Sequence, residues 1–223
     1  MSDRVLDSHS TDRWWRQGIA GEGWRHGALT VALLAVWYAT SLLYPVLNHG
    51  PHRIFLRTRL DELLPVVPAL VIPYVSATPF IAASMMVFLG ARVRVFRSAA
   101  AAMIIAWAIS YTLYFFLQSY IERPQITGTD LTSRMVQTVY ATDNPYNAFP
   151  SLHVSLSTIL AMHWRRVDRR IGAVVAIWVA LIIASTVLIR QHYLADVIAG
   201  LVVAVTATRL AWRWFGAEPI RAR

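Results

Sequence analysis

The sequence predicts an all-α polytopic membrane bundle of six transmembrane helices, from two observations. First, 57% of the 223 residues are hydrophobic and only 15% are charged, against roughly a quarter in ordinary soluble domains. Second, the apolar residues fall into runs close to the ~20 residues a spanning helix needs, not the ~10-residue alternating pieces of a transmembrane barrel. A soluble enzyme of this length would need a charged exterior, and 21 basic and 12 acidic residues gathered in clumps cannot supply one. Disorder is excluded because so apolar and aromatic a chain can offset its ordering entropy. The chain has no cysteine, which removes disulfides and thiolate metal sites.

The first run, Gly27 to Leu47, carries no charge. The second, Leu63 to Gly90, contains Pro65, Pro68, Pro73 and Pro79, so its early part is expected to be irregular or interfacial and its later part to span. The third runs from Ser98 to Ile121, and the fourth, Ala148 to Trp164, is short and holds Ser151 and His153. The fifth, Ile171 to Ile189, is again uncharged. The sixth, Val197 to Phe215, has Arg209 and Arg213 near its end, where they can snorkel to the interface. The membrane domain is therefore 27–215, between a polar segment 1–26 with no signal-peptide core and a tail 216–223. Trp14, Trp15 and Trp24 suit a membrane surface.

The net charge of +9 does not indicate nucleic acid, because the basic residues punctuate apolar runs and do not form one soluble face. All of the cations are arginine. With a cytoplasmic N-terminus, 15 arginines fall on inside segments and six on outside connections, so both termini are predicted to be cytoplasmic. The predicted location is a bacterial inner (plasma) membrane.

In that topology three polar clusters fall on the non-cytoplasmic side: Arg123-Pro124, Pro150 to His153, and Arg190, His192 and Asp196. Asn147 is expected to cap the fourth helix with Pro150 in its first turn. Ser151 and His153 would then lie where free N–H groups favour an anion, and the imidazole could protonate an oxygen leaving a phosphate. Alone, the segment reads equally well as a plain helix start. His192 and Asp196 are four residues apart and would share a helical face, the carboxylate fixing the tautomer of a histidine nucleophile; alone, this pair reads as a capping Asp beside an interfacial His. Arg123 and Arg190 would hold phosphate oxygens with planar guanidinium groups. Arg53, Arg57, Arg59 and Arg134 read as interfacial, and His49, His52 and His163 as surface residues. No metal site is indicated. The connection from Thr127 to Asn147, with Asp130 and Asp143, is expected to cover the site.

Arg123-Pro124, Phe149-Pro150-Ser151-Leu152-His153, and His192 with Asp196 together resemble the three signature motifs of the type-2 phosphatidate phosphatase family. The segments NAFPSLH and RQHYLADVIAG look most like the branch that includes inositol phosphorylceramide synthases. The resemblance implies a metal- and cofactor-free transfer of a phosphoryl group from a bilayer lipid. In it His192 is nucleophile, Asp196 orients it, and His153 is acid then base, while Arg123, Ser151 and Arg190 hold oxygens. Water as acceptor gives a phosphatase and an alcohol a head-group transferase; a non-catalytic lipid carrier or scaffold is the rival of another class. Two family cations are missing: Phe116 stands where the first motif has lysine, and Thr186 where the third has arginine. Arg190, one helical turn after Thr186, is expected to supply the missing guanidinium.

Overall fold

A computed structural model describes residues 24–48, 50 and 54–216. Trp14, Trp15, His49, His52 and Arg53 lie outside the described residues. The chain is an all-α membrane bundle. Helix α1 (Trp24–Ser41) is followed by the short turns of α2 (Tyr44–Leu47) and α3 (Arg59–Leu63). A 3-10 turn at Pro68–Leu70 leads into α4 (Val71–Ala91). Then come α5 (Val93–Phe116), α6 (Leu131–Thr142), α7 (Leu152–Val167), α8 (Arg169–Leu188) and α9 (Leu194–Phe215).

Among the described residues five segments are long and apolar enough to cross a membrane: Trp24–Leu47, Pro68–Ala91, Val93–Phe116, Arg169–Leu188 and Leu194–Phe215. The remaining predicted span is α7, which has 16 residues and turns a polar start toward the interior. The proline-rich second run divides as its composition dictates. Residues 64–67 are irregular, Pro68 opens the 3-10 turn, and Pro79 is accommodated inside α4.

Small side chains set the packing. Ala99, Ala100, Ala102 and Ala106 of α5 and Ala204, Ala207 and Ala211 of α9 are fully buried in one core, and the lack of bulk lets helix backbones approach closely where lipid supplies no hydrophobic drive. Helix α1 lies on α5, with the Trp37 and Trp107 rings 6.1 Å apart and the Trp37 indole N–H donating to Met103 Sδ at 3.1 Å. The Trp164 indole on α7 donates to Ser84 Oγ on α4 at 3.1 Å. Gly200 marks a close approach of α9 to α7, since a Cβ there would lie 2.8 Å from the Ser151 carbonyl oxygen and 3.0 Å from Val154 Cβ.

Successive long helices run in opposite directions. The ends of α1, α5 and α8 and the starts of α4, α7 and α9 therefore meet at one end of the bundle, where all three polar clusters lie. The 127–147 connection is not simply a loop. Asp130 caps α6, accepting from Ser133 N at 3.1 Å, and the Tyr140 hydroxyl donates to the Ile189 carbonyl at 2.7 Å, tying α6 to the turn before α9.

Two sequence expectations are corrected. The fourth helix begins at Leu152, and its cap is Ser151, whose Oγ accepts from Val154 N at 3.4 Å. Asn147 sits in the left-handed region with φ 54°, too far upstream to cap. His163 is not a surface residue. It is 2% exposed, with Nδ1 donating to the Ile159 carbonyl at 2.8 Å and Nε2 3.0 Å from Ser98 Oγ, so α5 supplies the partner that makes its burial tolerable.

Candidate active site

His153 enters the site from the first turn of α7, its ring stacked on Tyr74 of α4 at 4.4 Å between centroids. His192 enters from the turn between α8 and α9. That turn is held by the Thr186 carbonyl, which accepts from Gln191 N at 2.9 Å and His192 N at 3.0 Å. The two imidazoles face each other with centroids 6.2 Å apart. His153 makes no hydrogen bond to the described residues.

His192 Nδ1 lies 2.9 Å from the Ala148 carbonyl oxygen. A carbonyl only accepts, so Nδ1 carries the hydrogen and Nε2 presents its lone pair. The expected partner, Asp196, stands farther off, at 3.6 Å from Nδ1. Its Oδ2 instead accepts from Tyr193 N at 2.8 Å in a capping box at the start of α9. His192 precedes that helix, so the two residues do not share a helical face. A backbone carbonyl holds the ring, and the buried carboxylate holds the turn that carries it while adding negative charge nearby.

Arg123 follows α5 and lies along the wall of the same recess. Its NH1 donates to the Asp143 carbonyl at 2.6 Å and the Tyr140 carbonyl at 3.1 Å, and its NH2 donates to Gln191 Oε1 at 2.7 Å. Its Nε is buried with no partner among the described residues. Asp143 Oδ2 stands 3.9 Å from this guanidinium, while Oδ1 accepts from Asn48 Nδ2 at 2.7 Å and the Tyr44 hydroxyl at 3.3 Å. Burial raises the Asp143 carboxyl above the usual carboxylate range, partly offset by Arg123 and His192.

Arg190 and Ser151 are not brought to the recess. Arg190 has φ 55°, and this backbone turns its guanidinium toward the segment before α4, where NH1 donates to the Asp61 carbonyl and NH2 to the Leu64 carbonyl at 2.6 Å. It thereby pins that segment and cannot also stand in for the arginine absent at Thr186. Ser151 is fully buried, with its hydroxyl engaged as the α7 cap and its amide donating to the Asp196 carbonyl at 3.1 Å. Phe116, at the place of the family lysine, faces outward edge-on to Phe115. Among the described residues no three His, Asp or Glu side chains are grouped so as to hold a metal ion.

Tyr74, Asp143 and Gln191 line the recess without belonging to any recognisable spacing. Gln191 lies within RQHYLADVIAG and Asp143 in the connection expected to cover the site, whereas nothing in the sequence marks Tyr74. The recess opens into a larger cavity of about 520 Å³, which shares His153, His192, Tyr74 and Asp143 and is otherwise walled mainly by apolar and aromatic side chains such as Trp37, Ile81, Trp107 and Leu156. A polar seat at the mouth of a cavity with mainly apolar walls suits a ligand with a charged group on an apolar chain.

No curated protein matches the chain. Its fold is similar to the crystal structure of Aquifex aeolicus LpxE, with a TM-score of 0.50 and 15% identity over 78% of this chain and 94% of that one. The profile of the PAP2 superfamily matches residues 47–210, spanning all three polar clusters. With most of the chain inside that match, this protein belongs to the PAP2 superfamily.

Proposed function

We propose that the protein is a membrane lipid phosphatase or phosphotransferase that works through a phosphohistidine, with its site at the extracytoplasmic end of the bundle and both termini cytoplasmic. The observation that carries this reading is the pair of imidazoles facing each other where the polar recess meets the 520 Å³ cavity. In the first step His192 Nε2 attacks phosphorus and forms the P–N bond. The P–O bond to the leaving group breaks, and that oxygen takes a proton from His153 in its protonated form. In the second step an incoming hydroxyl gives its proton to His153, its oxygen bonds to phosphorus and the P–N bond breaks, which restores both histidines. Arg123 and the donors around it stabilise the charge spread over the phosphoryl oxygens, the main requirement of this chemistry. The acyl or prenyl chain lies in the apolar cavity, reached from the bilayer.

The segments NAFPSLH and RQHYLADVIAG support a second reading, a head-group transferase like the inositol phosphorylceramide synthases, in which an alcohol replaces water. Facing histidines count against a non-catalytic carrier or scaffold. Purified protein in detergent is expected to release phosphate or head group from phosphate, diphosphate or phosphodiester lipids. His192→Ala, equally folded, should not. Release that depends on an added polyol selects the transferase. Absence of release from every lipid by the wild type contradicts the reading.

A further inference from the structure

Two residues of the recess wall, bonded to each other, each carry a buried donor with no partner among the described residues. Gln191 is 4% exposed, and its Oε1 accepts from Arg123 NH2 at 2.7 Å. A guanidinium only donates, so this contact fixes the amide orientation and leaves Nε2, two N–H groups, as the free end. Nε2 has no partner among the described residues, and neither does Arg123 Nε. Buried donors are ordinarily hydrogen-bonded, so two of them on adjoining side chains of one wall point to an acceptor that a ligand brings. Both residues line the recess with the two histidines.

The charge around these donors is small. Among the described residues Arg123 is the only arginine that lines the recess, and Asp143 stands 3.9 Å from it in the same wall. The lining side chains thus offer a fixed charge between zero, with Asp143 ionised, and plus one, with Asp143 protonated, apart from the proton His153 carries for transfer, and the Asp196 carboxylate 3.6 Å behind His192 adds no positive charge. A dianionic phosphomonoester is poorly matched to that. A phosphodiester carries one negative charge on two non-bridging oxygens, which two donors can engage.

We infer that Gln191 Nε2 and Arg123 Nε form the seat of the two non-bridging phosphoryl oxygens. A neutral donor at Gln191, where a further cation would strengthen the grip on a dianion, sets a preference for singly charged phosphoryl groups. This rests on the phosphoryl-transfer reading above and specifies its substrate.

The test compares kcat/KM for phosphatidylglycerol, a diester, with that for phosphatidate, a monoester, using the full chain in detergent. The wild type should favour the diester. Gln191→Glu keeps the acceptor for Arg123 but replaces the donor by a carboxylate, and diester turnover should fall about a hundredfold, as when an oxyanion donor is lost. Asp143→Asn keeps an oxygen for Tyr44 and Asn48, removes a negative charge, and should move the ratio toward the monoester about tenfold. Far-UV circular dichroism and thermal unfolding establish that each variant is folded. Wild-type turnover that favours the monoester, or a ratio unmoved by Asp143→Asn together with a loss under threefold in Gln191→Glu, overturns the inference alone. No wild-type turnover of either lipid, nor of any other phosphate lipid, takes down the phosphoryl-transfer reading as well.

Discussion

Buried histidines stand at both ends of the bundle, and their surroundings differ in kind. At the far end His163 has both ring nitrogens engaged, by the Ile159 carbonyl and Ser98 Oγ. Nearby, Arg97 donates to Thr30 Oγ1 at 2.7 Å and the His26 carbonyl at 3.0 Å. At the near end His192 uses one nitrogen, His153 stacks on Tyr74, and Arg123 Nε and Gln191 Nε2, on residues that line the recess, have no partner among the described residues. Buried polarity that is satisfied holds helices together. Buried polarity left open at a cavity wall is what the proposed phosphoryl seat would use.

The sharpest way to break this contrast is to remove, one at a time, the two near-end histidines and the far-end one. His192→Ala is expected to lower turnover by about 10⁴-fold or more, as loss of a nucleophile does, and His153→Ala by 10²- to 10⁴-fold, both read as initial rates on the best lipid. His163→Ala should leave the rate within a few-fold while costing roughly 2–3 kcal/mol of stability, seen as a lower Tm, because it empties volume and strands Ser98 Oγ. If His163→Ala abolished turnover in folded protein, the two ends would not differ as described.

Gly200→Ala tests whether the spacing of α7 and α9 sets the histidine geometry. The added Cβ would meet the Ser151 carbonyl oxygen at 2.8 Å, so the helices must separate, and a displacement of this kind should cost about tenfold or more in kcat. An unchanged rate would mean that the histidines tolerate movement.

The smallest effect concerns Asp143. Its carboxyl is raised in the fold, so the native state holds the proton more tightly than the unfolded chain, and its ionisation costs stability as pH rises through and above the carboxylate range. The Tm of Asp143→Asn relative to wild type should therefore increase from acidic to neutral pH. A constant difference would mean that the carboxyl is unperturbed.

The long helices were legible because lipid demands uninterrupted apolar length, and Pro65 to Pro79 placed the irregular approach to α4 correctly. His153, His192 and Arg123 were legible because their separate motifs fall on one side of a bundle of alternating helices. Arg190 was not, because a positive φ reversed its side chain, and no spacing reveals that. The Ala148 carbonyl that holds His192 is a backbone atom with no side-chain signature. His163 looked exposed because its partner Ser98 lies 65 positions away. Tyr74 reaches the recess through tertiary proximity alone, while Asp143 and Gln191 lie in segments the sequence pointed to without marking them individually.

The most direct test of the central claim is to trap the intermediate. Rapid acid-free quenching with a ³²P-labelled phosphate lipid, followed by peptide mapping, should place an alkali-stable, acid-labile phosphate on His192, with more accumulating in His153→Ala when the leaving group is good enough to depart without the acid, because the second step has lost its base. Turnover with label on another residue, or with none in either protein, would contradict the account.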